Sequence, residues 1–171
     1  VEIAPWDQPD RLVALGRVTG ALGALETALE IDQWSPAGVE IPTTADSDSA
    51  VAATIWSALA DPRASTRWRA THAARFLIAF GADDSVQALT DLVLHDAPAG
   101  FADPRFPFYR WYAIEGFLMA AERAAVDDPS RVTPLLASIA ALSAANPDHV
   151  RIQHTCTQIA NRCGDAGLTR S

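Results

Sequence analysis

The chain contains no lysine. All 13 of its basic residues are arginine, set against 21 aspartates and glutamates, for a formal net charge of −8. Without lysine there is no Gly-x-x-x-x-Gly-Lys phosphate loop, so the chain cannot supply a nucleotide site of that kind. The chain starts at Val1 and holds a single methionine, Met119. This predicts a piece of a longer protein. No basic stretch followed by an apolar segment stands at its beginning, so no secretory signal is expected. No apolar run reaches the roughly 18 residues of a membrane helix, which predicts a soluble, cytoplasmic chain.

Cysteine is nearly absent too. Cys156 and Cys163 are seven apart; on a helix that puts them about 10 Å apart along the axis, too far for a disulfide. Strand signals are missing. No stretch alternates polar and apolar residues for long, and Asn-Gly or Asp-Gly turns do not occur.

What is present is helical. Among 171 residues 49% are apolar and 20% charged, which is enough for a core and excludes a disordered polyelectrolyte. Leu15, Val18, Leu22, Leu25 and Leu29 form one stripe of a helix over 10–31. A polar, Pro- and Gly-bearing stretch follows over 32–48. Helices are then predicted near 48–60, 62–80, 83–95, 108–126, 130–145 and 148–163. Pro- and Gly-rich residues 97–107 read as a loop. Gly81 and Gly164 read as helix stops. Asp61-Pro62, Asp128-Pro129 and Asn146-Pro147 read as caps that open the helices after them.

The most informative pattern is repetition. Asp61-Pro62, Asp103-Pro104 and Asn146-Pro147 are spaced 42 and 43 residues apart, each followed closely by an arginine: Arg67, Arg110 and Arg151. The unit is helix, Asp-Pro turn, helix. One such pair cannot bury its apolar stripe alone, whereas stacked pairs make a continuous core.

This pattern resembles the HEAT repeat, whose period is about 40–47 residues. The stretch from Ala60 to Ala70 fits it best. The second unit departs through Pro107, Tyr109 and Trp111, and the third has Asn146 in place of Asp. The resemblance implies an all-α, HEAT/armadillo-like right-handed superhelix of about seven helices. Residues 1–47 would be an N-terminal helix and linker, 48–164 three helical pairs, and 165–171 a tail. It also implies a ladder between neighbouring repeats, built by Asp61, Arg67, Asp103, Arg110, Asn146 and Arg151. The stretches Arg67–Ala73, Phe108–Ala113 and His149–Ile152 further resemble the helical portion of large bacterial STAND-type ATP-binding proteins. In those proteins the helical array lies beside a nucleotide-binding module and senses a partner.

Candidate sites fit that frame. Arg67, Trp68, Arg69, Arg75, Arg110 and Trp111 form the expected interaction surface. The aromatics Trp68, Phe106, Phe108, Tyr109, Trp111 and Tyr112 are expected chiefly to pack the repeats together, with a partner-binding hot spot as an alternative. Interleaved arginines raise a second alternative, a nucleic-acid or DNA-repair module. Residues 63–110 are only one unit positive, while 1–62 carry −8. A nucleic-acid groove would therefore need six or more arginines gathered without acids. Glu115 and Glu122 are expected on a solvated face. Ile152, Cys156, Ile159 and Cys163 read as a core stripe. His154 and Cys156, two apart on a helix, point about 200° apart and cannot chelate one metal. No catalytic, cofactor or metal set assembles from neighbouring residues. The expectation is a non-catalytic protein-interaction or sensor region of a larger bacterial NTPase, with a protein partner or the parent's own domains as its target.

Overall fold

A computed structural model of the chain describes residues 46–95 and 108–164. The expected helix over 10–31, the linker before residue 46, the loop at 97–107 and the tail lie outside them. Six α-helices occur among the described residues, and no strand. They are α1 (Ser47–Leu59), α2 (Ala64–Phe80), α3 (Asp83–Leu94), α4 (Phe108–Asp127), α5 (Leu136–Ala145) and α6 (Val150–Cys163).

The helices pack as two rows. α1 packs on α3, and α3 touches α5. α2 packs on α4, and α4 on α6. Between the rows, α1 meets α2 and α4, and α5 meets α6. The contacts follow the apolar spacing. Val86, Leu89 and Val93 of α3, and Ile152, Cys156 and Ile159 of α6, fall on one helical stripe each and are buried. α4 lies deepest and buries residues on several sides, Ile114, Phe117, Leu118 and Ala121 among them. Gly116 marks its closest approach. A Cβ there would come within 2.7 Å of Leu59 Cδ2 and 3.1 Å of Thr71 Oγ1. Leu59 is fully buried, so α1, α2 and α4 meet at a point that admits only a hydrogen.

Three helix starts differ from expectation, each for a local reason. Asp61 does not cap α2. Its fully buried carboxylate instead accepts from the Arg63 backbone N–H at 2.7 Å and from the Arg63 guanidinium at 3.1 and 3.0 Å. This turn holds Arg63 extended, at φ −80° and ψ 119°, so helical geometry begins at Ala64. Asn146 does not open α6. It closes α5, its amide donating to Leu142 O at 2.9 Å. The cap of α6 is His149, whose Nδ1 accepts from Ile152 N at 3.4 Å. The helix expected over 130–145 is split. Asp128 caps a short 3-10 turn, Pro129–Arg131; a second follows at Thr133–Leu135; the α-helix starts only at Leu136. Pro134 explains the break, since it has no N–H and its ring crowds the carbonyl of the preceding turn.

The stops are as expected. Gly81 ends α2 in the left-handed region at φ +67°, with Ala82 N donating to Leu77 O at 3.0 Å. Gly164 ends α6 at φ +75°.

Candidate interaction surface

Charge is sorted by row. Helices α1, α3 and α5 carry Asp48, Asp83, Asp84 and Asp91 and no arginine. Helices α2, α4 and α6 carry seven arginines and three carboxylates. All three carboxylates are matched. Asp127 pairs with Arg75, Glu115 with Arg151 at 3.3 Å, and Glu122 with Arg162 at 3.3 Å. The expected solvated face for Glu115 and Glu122 is therefore corrected. Their side chains are 14% and 29% exposed, and they line the seam where α4 lies on α6. The two rungs run in the same order along both helices, so α4 and α6 point the same way.

The aromatics also differ from expectation. Trp68, Phe76, Phe108, Trp111 and Tyr112 are all exposed, Trp68 at 47% and Trp111 at 40%. They do not fill the space between helices. That work is done by Trp56, Phe117 and the aliphatic stripes, all nearly inaccessible. Phe106 lies outside the described residues, and Tyr109 is half-buried.

Local chemistry holds these rings in place. Near the start of α2, Arg67 Nη1 donates to Asp61 O at 2.7 Å and to Pro62 O at 2.8 Å. Anchored there, its guanidinium lies 4.5 Å over the Tyr112 ring of α4. Tyr112 meets Phe108 edge-on at 6.0 Å. Trp68 takes the edge of His72 at 4.6 Å and the Arg123 guanidinium at 5.0 Å. Phe76 stacks on Phe80 one turn away, at 5.5 Å. Arg69 projects into solvent beside Trp68, and Arg110 is half-buried in the first turn of α4. Arginine over an aromatic face is worth about 0.5–1 kcal/mol at an exposed site, enough to order a ring and too little to define a fold.

At the start of α6 the same surface turns inward. Trp111 packs edge-on to His149 at 5.3 Å. His149 Nε2 faces Glu115 Oε1 at 3.9 Å, while its Nδ1 is used by the helix cap. Trp111, Asn146, Pro147, Asp148 and His149 line an open cleft of about 300 Å³. Both ring nitrogens of His149 thus face groups of the fold, and the cleft presents chiefly the flank of Trp111 and the 145–149 turn.

The residues named for the ladder are used differently from the expectation: Asp61 pairs with Arg63 of its own turn rather than with an arginine of a neighbouring repeat. Arg67 reaches back to carbonyls of its own turn, Arg151 bridges to Glu115 on α4, and Asn146 caps α5. Asp103 lies outside the described residues. Sequence reasoning missed Arg123, Phe76, His149 and Val150 as parts of this surface; Val150 is 80% exposed. An aromatic and an arginine brought together from α2 and α4 are 55 residues apart in the chain, and no local spacing announces them. Among the described residues no cluster of three His, Cys, Asp or Glu side chains could hold a metal ion. No described helix is long and apolar enough to cross a membrane. No protein-family model, curated protein or solved structure matches the chain.

Proposed function

We propose that the chain is a non-catalytic protein-interaction region, built as a HEAT-like α-solenoid and belonging to a larger bacterial NTP-binding protein of the STAND type. The observation that carries the interaction reading is the row of exposed rings on α2 and α4. Five large aromatic side chains stand in solvent on helices whose other faces are closely packed. Aromatic and arginine side chains, ordered and exposed together, are the residue types that dominate protein-binding hot spots. The solenoid reading draws support from the packing of alternate helices, α1 with α3 and α5, α2 with α4 and α6. In a stack of helical pairs the second helices line one continuous face; on this reading α2, α4 and α6 are those helices, and the exposed aromatics stand on α2 and α4.

Nucleic acid is the second reading, favoured by the gathering of arginine on α2, α4 and α6. Three of the seven are neutralised by carboxylates, which leaves fewer than the six unmatched arginines such a groove would need.

The test is a paired substitution, Trp68→Ala with Trp111→Ala, made in the full-length protein. The expected result is an unchanged circular dichroism spectrum and loss of a cross-linked partner that the wild type retains. Equal recovery by the variant overturns the reading. So does binding of random duplex DNA with a log–log salt slope of several units. The reading frame upstream of Val1 tests the parent assignment: a phosphate-loop motif there supports it, and a complete gene of this length refutes it.

A further inference from the structure

The sorting of charge between the two rows says what kind of partner the aromatic face fits. Row one is purely acidic, so an anionic segment is repelled from it. Row two has matched every one of its own carboxylates with an arginine. What it offers to solvent is therefore cationic and aromatic. Arg123 lies over Trp68 and Arg67 over Tyr112, and Arg69 projects beside Trp68. A guanidinium on a ring face keeps its outer N–H groups for a further acceptor, and a carboxylate accepts two of them side by side. The rings supply apolar contact between those points. Val150 and Phe76 extend the apolar surface on α6 and α2.

We propose that the face formed by α2 and α4 binds an acidic segment of a partner protein. Asp or Glu side chains of the segment engage the exposed Arg69 and Arg123, and intervening apolar residues lie on Trp68, Phe108 and the Tyr112 ring that Arg67 holds in place. This rests on the interaction reading above and names the chemistry of its partner. A peptide fits better than a nucleic acid. The cations are few and separated by rings, and the chain as a whole carries −8. A uniform polyanion would have to tolerate that field along its whole length, whereas a short segment needs charge only at a few points.

The experiment is selection from a random 16-residue peptide display library on the 171-residue chain, with a 20-nucleotide oligo-dT as comparator. The expected result is enrichment of peptides with two or more Asp or Glu next to aromatic or aliphatic residues. Their affinity should fall about 3- to 10-fold for Arg69→Gln, and again for Arg123→Gln, and weaken with salt. Ala137→Glu, on the exposed side of α5, makes the same change in net charge and should alter binding less than 2-fold. Both arginines are exposed, and each variant is checked by circular dichroism. Enriched peptides without acidic bias that still need Trp68 overturn the proposal and leave the interaction reading standing. Peptides indifferent to Trp68, or no enrichment at all, overturn both. Tight oligo-dT binding that Arg69→Gln and Arg123→Gln abolish overturns the proposal in favour of a nucleic-acid face.

Discussion

The two rows of helices are built from the same apolar residues and differ in what they show to water. In row one, α1, α3 and α5 are short, carry only carboxylates, and expose small or polar side chains. In row two, α2, α4 and α6 carry, among the described residues, all seven helical arginines and every exposed aromatic. The buried halves of both rows are alike. Trp56 of row one and Phe117 of row two fill the same core. Core filling therefore cannot account for the difference. The aromatics of row two stand partly in solvent, outside the core that Trp56 and Phe117 fill, and it is on this difference that the proposed interaction reading rests.

The sharpest way to break this comparison is to remove a ring from each class. Phe117→Ala should cost about 3–5 kcal/mol, because the side chain is fully buried in the middle of α4. That is a large part of the total stability of a domain this size. Trp68→Ala should cost less than about 1 kcal/mol, roughly the cation–π contact with Arg123. Urea unfolding of the two variants checks the pair. A Trp68→Ala cost equal to that of Phe117→Ala would return the exposed rings to a structural role.

Next in size is the crossing at Gly116. Gly116→Val should cost about 1–3 kcal/mol, since a branched side chain must displace Leu59 and Thr71. The loss couples the rows, because Leu59 belongs to α1 and Thr71 to α2. A thermal transition that stays single but moves down reports one cooperative unit; a split transition would mean that the rows melt separately.

How far the sequence foretold all this depends on the range of the interaction. The six described helices, their apolar stripes and the two glycine stops follow from spacing and from residues close in the chain. The helix starts are harder. Asp61 looks like a cap, yet it turns onto Arg63, and Asn146 looks like the start of α6 but closes α5. A polar side chain beside a proline has two neighbours to choose between, and the choice depends on the turn's own dihedral angles. The surface was least legible. Arg67 with Tyr112, Arg123 with Trp68, and Glu115 with Arg151 join residues 36 to 55 positions apart. The sequence named Arg67, Trp68, Arg69 and Trp111 for a surface, but for the aromatic cluster as a whole it favoured packing between helices over exposure on them.

The seam between α4 and α6 offers a finer contrast. Glu115 is the less exposed of its two glutamates and faces both Arg151 and His149. Glu122 meets Arg162 nearer solvent. Glu115→Gln should destabilise by about 1 kcal/mol and Glu122→Gln by less than about 0.5 kcal/mol, because exposed partners and salt screen both pairs. Double-mutant cycles with Arg151→Gln and Arg162→Gln check the ordering. The thiols of α6 follow a parallel logic. Burial pushes the Cys156 thiol up to about 11, while Cys163 is only half-buried. At pH 8, Ellman's reagent should label Cys163 first and Cys156 only on unfolding. The sign of the linkage follows. Below pH 9 both states keep the Cys156 proton and the group adds no pH dependence. From pH 9 towards 11 the unfolded chain releases it while the folded chain holds it, so stability falls as pH rises.

The smallest expected effect returns to the two rows through their caps. Asp46 accepts from Ser49 N at 2.8 Å and opens α1; Asp128 accepts from Ser130 N at 3.0 Å and leads into α5. Backbone hydrogen bonding at Asp46, and hydrogen bonds from Ser130 to Asp128, hold both carboxyls below their ordinary range. In row two, α2 starts at Arg63 without a side-chain cap and α6 starts at the His149 imidazole. Acid should therefore loosen row one's carboxylate caps before it changes the uncapped start of α2. Each lowered carboxyl contributes stability that is present above its unfolded value near 3.8. That contribution is lost as pH falls through the lower folded value. Amide protection factors, taken relative to the intrinsic exchange rate at each pH from 5 to 3, should fall at the first turn of α1 and around Ser130 before the first turn of α2 changes. Asp46→Asn, which keeps an acceptor but no charge, should abolish the pH step at α1 while leaving the helix in place. If α2 loosens together with α1 in that range, the caps are not what acid attacks.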